Sequence, residues 1–178
     1  MTETLQFAEI TSYPTEYNMG SIIARMLDGA GFRYYWATEG LKEEHMMQEP
    51  GNGSRSLYQI VDHIYNMVDF LGNSLEGTTT NFPEKANGLP FEELRQKTLA
   101  RIEAVKTACT KMDVQTLEQQ KIQLTVNGHA MQFDNWHLFN GPLPDLYHHI
   151  GQLMIVRRIL GNPVPAGVEP FMCKRMEA

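Results

Sequence analysis

The chain has 178 residues, 42% of them hydrophobic and 20% charged, with a formal net charge of -6. That length suits a single domain with a substantial core, since single domains mostly run about 100–200 residues, and the composition excludes the low hydropathy and high charge of a disordered chain. The acidic balance, without any cluster of Lys and Arg, argues against nucleic acid or an anionic membrane surface as a partner, because both require basic groups to neutralise phosphates.

The N-terminal segment MTETLQFAEITSY carries an early Glu and no apolar stretch flanked by basic residues, so it does not read as a secretory signal. From Ser21 to about Gly40, the residues Ile22, Ile23, Met26, Leu27, Ala30, Tyr34 and Ala37 recur at three- and four-residue intervals. This spacing predicts a first helix with one buried stripe. Gly29 and Gly31 each cost that helix roughly 1 kcal/mol relative to Ala, which suggests close helix approach or a local irregularity. An acidic segment and a Gly/Pro loop lead to a second helix from about Ser56 to Leu75, with Leu57, Ile60, Val61, Ile64, Met67, Val68 and Leu71 as a wide apolar stripe.

The turn-rich segment GTTTNFPEKANGLP precedes a third helix from about Pro90 to Met112, bearing Phe91, Leu94, Leu99, Ile102, Val105 and Cys109. Between Lys121 and Phe133 the period changes to two, interrupted by Asn127-Gly128. A β-hairpin with a two-residue type I′ turn is expected, pairing Val126 with His129, Leu124 with Met131 and Ile122 with Phe133 on one face that covers the helices. A fourth helix follows Asn140-Gly-Pro142 and runs to Leu160, where Gly161 and Pro163 end it. The Pro-rich tail reads as an extended strap.

Four long amphipathic helices in one domain point to an all-α fold, an antiparallel four-helix bundle with a small β-hairpin between the third and fourth helices. No stretch approaches the ~20 apolar residues of a membrane span. Cys109 and Cys173 make neither a disulfide framework nor a zinc spacing, so reduced thiols in a cytoplasm are expected.

Bundles build metal and cofactor sites from side chains on facing helices. On the fourth helix Asp145 and His149 lie about 40° apart around the axis, one turn from each other. Leu146, Ile150, Leu153, Val156 and Leu160 set the apolar arc; His149 falls within it, Asp145 at its edge, and His148 points away. On the second helix His63 flanks the stripe beside Ile60 and Met67. Two imidazoles and a carboxylate are a common ligand set for a divalent transition metal with an open position. A His at the edge of a buried face is more often a hydrogen-bonded packing residue, so the residues alone leave both roles open.

The string DLYHHIGQLMIVRRILG (145–161) resembles the last helix of the DinB/YfiT-like superfamily, whose pattern is H-x3-H-x-G-Q followed by an arginine and a terminal glycine. The stretch SLYQIVDH (56–63) is similar to that superfamily's second helix, which supplies the first ligand His. The resemblance implies a four-helix bundle, often dimeric, that holds a divalent metal (zinc, nickel or manganese) through His63, Asp145 and His149. Asp145 stands where the family most often has the first His of H-x3-H. The implied activity is that of a metal-dependent transferase or hydrolase acting on a small electrophile, with a low-molecular-weight thiol as co-substrate. The alternative is a non-catalytic bundle with a vestigial metal site, serving as a small-ligand binding or dimerisation module.

Five further expectations follow. Gly151 should permit close helix packing; Gln152 either makes a helix contact or orients a ligand. Arg157 and Arg158 read as surface or helix-end charges, and Tyr34, Tyr35 and Trp36 as core or interface aromatics. His45, His129, His137 and His148 read as surface or packing residues.

Overall fold

A computed structural model describes residues 6–83 and 86–176. The first five residues, part of the segment weighed as a signal peptide, lie outside the described residues, as do Glu84 and Lys85 of the loop before the third helix and the last two residues of the tail.

The chain is mostly helical with a small mixed sheet. Helix α1 (Met19–Thr38) begins on a reciprocal cap, the Ser21 amide donating to Asn18 Oδ1 at 2.8 Å and the Asn18 amide to Ser21 Oγ at 2.9 Å. Helix α2 (Leu57–Glu76) starts the same way on Ser56 and Gln59 and stops at Gly77, whose φ of 72° is the left-handed conformation that releases a helix end. Helices α3 (Phe91–Cys109) and α6 (Pro142–Ile159) complete the long elements, separated by the short helices α4 (Val114–Gln119) and α5 (Trp136–Asn140).

Helix α1 packs on α3 and α6, and α2 packs on the same two. Their stripes meet in one cluster in which Leu27, Ile64, Val68, Ile102, Leu146 and Ile150 are fully buried. Each such side chain contributes roughly 1.5–3 kcal/mol.

The single stripe expected of α1 understates its burial. Nearly every side of the helix from Leu27 to Thr38 is covered, while Ile22 and Met26 of the expected stripe are exposed. The cause is the segment before the helix, joined to the tail. A Cβ on Gly31 would stand 2.3 Å from the Phe7 ring; the Trp36 indole donates to Ala8 O at 3.1 Å, and the Ile10 amide donates to Cys173 O at 2.9 Å. Gly29 admits α6, since a Cβ there would stand 2.9 Å from Tyr147 Oη. Gly29 thus marks the expected helix approach, while Gly31 makes room for the segment before the helix.

Strands β2 (Lys121–Val126) and β3 (His129–Asp134) form the expected antiparallel hairpin in the expected register. Asn127 and Gly128 have φ of 49° and 83°, both positive as a type I′ turn requires. The hairpin does not stand alone. Strand β1 (Thr80–Phe82), from the turn-rich segment after α2, pairs in parallel with β2 and makes the sheet three-stranded. Nor does the whole face cover the helices: Ile122 is buried and Leu124 and Phe133 pack on the core, but Met131 is 43% exposed and His129 projects into solvent. The tail is a two-stranded hairpin of β4 (Val168–Glu169) and β5 (Lys174–Arg175) instead of an extended strap. Cys109 and Cys173 are free and buried. Among the described residues no helix is long and apolar enough to cross a membrane.

Candidate functional site

His63 of α2 and His149 of α6 meet where these two helices pack. Each borders a buried stripe, Ile60 and Ile64 on one helix and Ile150 and Leu153 on the other, so helix packing brings the flanking imidazoles together. Their ring centroids are 4.3 Å apart and nearly perpendicular at 85°. Gln152, three residues after His149 and therefore on the same side of the helix, places Oε1 2.8 Å from His149 Nδ1. An amide oxygen only accepts, so Nδ1 carries the proton and the neutral ring keeps its Nε2 lone pair free. The other end of the amide donates to His148 Nε2 at 2.9 Å. Gln152 thus positions a histidine instead of making the plain helix contact. Gly151, expected to admit a neighbouring helix, faces open space: a Cβ there would meet nothing within 4 Å.

Burial pushes His63 down to about 4, with the His149 ring and the Arg55 cation acting in the same direction and Asp145 and Asp62 opposing. His149 is also lowered, first by burial, with Arg55 and His148 adding to it and the Gln152 hydrogen bond and Asp145 opposing. Both rings are therefore neutral near pH 7, the form in which imidazole binds a metal.

Asp145 sits in the first turn of α6, exposed and without a side-chain hydrogen bond or ion pair among the described residues. Its charge acts on both imidazoles. Among the described residues no group of three or more His, Cys, Asp or Glu side chains is placed to hold a metal ion. The donor chemistry suits a divalent transition metal, and two of the three donors are already adjacent, one of them held through its second nitrogen as metal-binding histidines usually are.

A cleft of about 440 Å³ opens beside His149. Gln152, Ile60 and Val156 line it together with Ser54 and Arg55 from the loop that enters α2. Sequence reasoning missed Arg55: it lies outside every periodic stripe, and only its place just before the Ser56 cap ties it to the helix that carries His63.

Arg157 lies in the last turn of α6, a helix-end charge, but it is 1% exposed instead of lying at the surface. Its guanidinium donates to Trp36 O and Ala37 O at 3.0 and 2.9 Å, and to Asn162 O and Oδ1 at 2.6 and 3.0 Å. The first two are carbonyls of the last turn of α1, which no longer have helical partners. Arg158 is exposed, as expected. Tyr34, Tyr35 and Trp36 are buried core aromatics. His129, His137 and His148 are exposed, and His45 is half-buried, accepting from the Lys42 amide at 2.9 Å.

No protein-family model, curated protein or solved structure matches the chain.

Proposed function

We propose that the chain is a metal-dependent enzyme with the architecture of the DinB/YfiT-like superfamily. In this reading it is a single-domain, cytoplasmic four-helix bundle of α1, α2, α3 and α6, forming a homodimer. His63, Asp145 and His149 hold the metal, and a small electrophilic substrate enters the cleft beside them. The observation that carries the reading is the juxtaposition of His63 and His149 from two different helices at the edge of an open cleft. A divalent metal such as zinc, nickel or manganese, when bound, supplies Lewis acidity that lowers the pKa of a thiol or water. The reaction class is thiol transfer, with a low-molecular-weight thiol as co-substrate, or hydrolysis.

The chain's own residues have separable tasks. His63 and His149 offer neutral nitrogens because burial holds both below the ordinary histidine range. Gln152 fixes the His149 tautomer, and Asp145 supplies the anionic donor that offsets a dication's charge. Ile60 and Val156 make one wall of the cleft apolar and limit water there.

A second reading has its own observation. Asp145 is exposed, and among the described residues no group of three His, Cys, Asp or Glu is placed to hold a metal, which fits a bundle that has kept the fold as a small-ligand binding or dimerisation module. Elemental analysis of protein purified without chelator or affinity-tag metal decides between the two. Near-stoichiometric metal that disappears in both His63→Ala and His149→Ala supports the enzyme. No metal, even after zinc, nickel and manganese are supplied, leaves the binding module.

A further inference from the structure

The cleft beside His149 is chemically two-sided. Ile60, Ile155 and Val156 present hydrocarbon, and Ile155 is 60% exposed. Arg55 stands on the same cleft with no hydrogen bond or ion pair to its guanidinium among the described residues. Its charge reaches both imidazoles, disfavouring the protonated form of each. A guanidinium carries a planar fork of donors that matches a carboxylate in two-point contact. Here the fork is not engaged, in a chain whose net charge is -6. Arg95, Arg101 and Arg157, by contrast, are committed, to Glu39, to Asp69 and Glu76, and to backbone carbonyls respectively. The volume of about 440 Å³ lies within the ~300–1,000 Å³ of ordinary small-molecule sites.

We propose that this cleft binds a small amphipathic carboxylate, its charge on Arg55 and its hydrocarbon part on Ile60, Ile155 and Val156. Resting on the reading of His63 and His149 as the reacting centre, this makes the substrate of the enzyme an organic anion, not a neutral electrophile. Arg55 then selects the substrate by charge and orients it with its uncharged portion along the helix α6 wall.

Calorimetric titration with octanoate and with octanamide, which has the same length without the charge, tests the assignment. Octanoate should bind roughly ten-fold more tightly, the scale of a charge-assisted hydrogen-bonded contact. Arg55→Gln should remove that preference and Arg55→Lys should retain part of it. Equal binding of the two probes, binding of neither, or a preference that survives Arg55→Gln overturns the proposal. Metal content read on the same samples separates the two ideas. Arg55 lies outside the ligand set, so Arg55→Gln should hold the parent's metal. Protein without metal that still prefers octanoate through Arg55 would overturn the metal centre and keep the anion site.

Discussion

Helix α6 carries Arg157 in its last turn and His149 about two turns earlier, and the surrounding structure treats these two polar groups in opposite ways. Arg157 is enclosed, and its guanidinium donates to Trp36, Ala37 and Asn162, so the group is consumed in closing the end of α1. His149 is half-buried against His63, with one nitrogen engaged by Gln152 and the other without a protein partner among the described residues, at the mouth of a cleft. A polar group whose hydrogen-bonding capacity is fully used has a structural role. One whose ring is oriented while its remaining lone pair faces an open cleft keeps that lone pair available to solvent or a ligand.

That contrast can be broken most forcefully at Arg157. Arg157→Met keeps much of the volume but leaves buried carbonyls of α1 without donors, and should cost about 3–5 kcal/mol. In a chain of this length that is roughly a 10 °C fall in Tm, read by thermal unfolding. A loss below about 1 kcal/mol would place Arg157 with the ordinary surface charges.

Gln152→Leu tests the other side of the comparison, at His149. It removes the acceptor that holds His149 Nδ1–H, so on the metal-centre reading affinity for zinc should fall about 10–100-fold, while the unfolding midpoint moves little. Unchanged zinc affinity would reduce Gln152 to a surface contact.

The pH dependence sharpens the comparison further. His63 sits at about 4 in the fold against an ordinary value near 6.5, so below about pH 6.5 the unfolded chain binds the proton that the folded chain refuses. The stability this contributes is complete above about pH 6.5 and is lost as pH falls towards about 4. Urea midpoints at pH 7.5 and 4.5 should therefore separate more for the parent than for His63→Asn. Equal separations would mean that His63 titrates as an exposed ring.

The smallest effect is expected at Gly151. A methyl group there meets open space, so Gly151→Ala should stabilise the helix by about 0.5–1 kcal/mol. Destabilisation would reveal a neighbour packed on that face, such as a second copy of the chain.

The long helices and the hairpin were legible because their signals are local. The stripe Ile60, Ile64, Val68 repeats with the helical period and is buried. Asn127-Gly128 between alternating segments sets a register that the strand pairing reproduces residue for residue. The side chains flanking those stripes were legible too, and so His63 and His149 stood out before any coordinates.

Strand β1 carried no comparable signal: three residues in a turn-rich segment become a strand only because β2, distant in sequence, offers a free edge. The burial of α1 on nearly all sides depends on Phe7 and the tail, which no periodicity within the helix can announce. Arg157 and Arg158 are adjacent and chemically identical, and only the arrival of the α1 terminus beside one of them makes it a buried cap. The sequence by itself therefore determined the elements, their faces and the hairpin register, since these depend on repeats of 3.6 and 2 residues and on turn chemistry. Tertiary structure alone decided that His63 lies against His149 and that Arg55 lines the cleft, because each depends on how separate elements pack across a shared core.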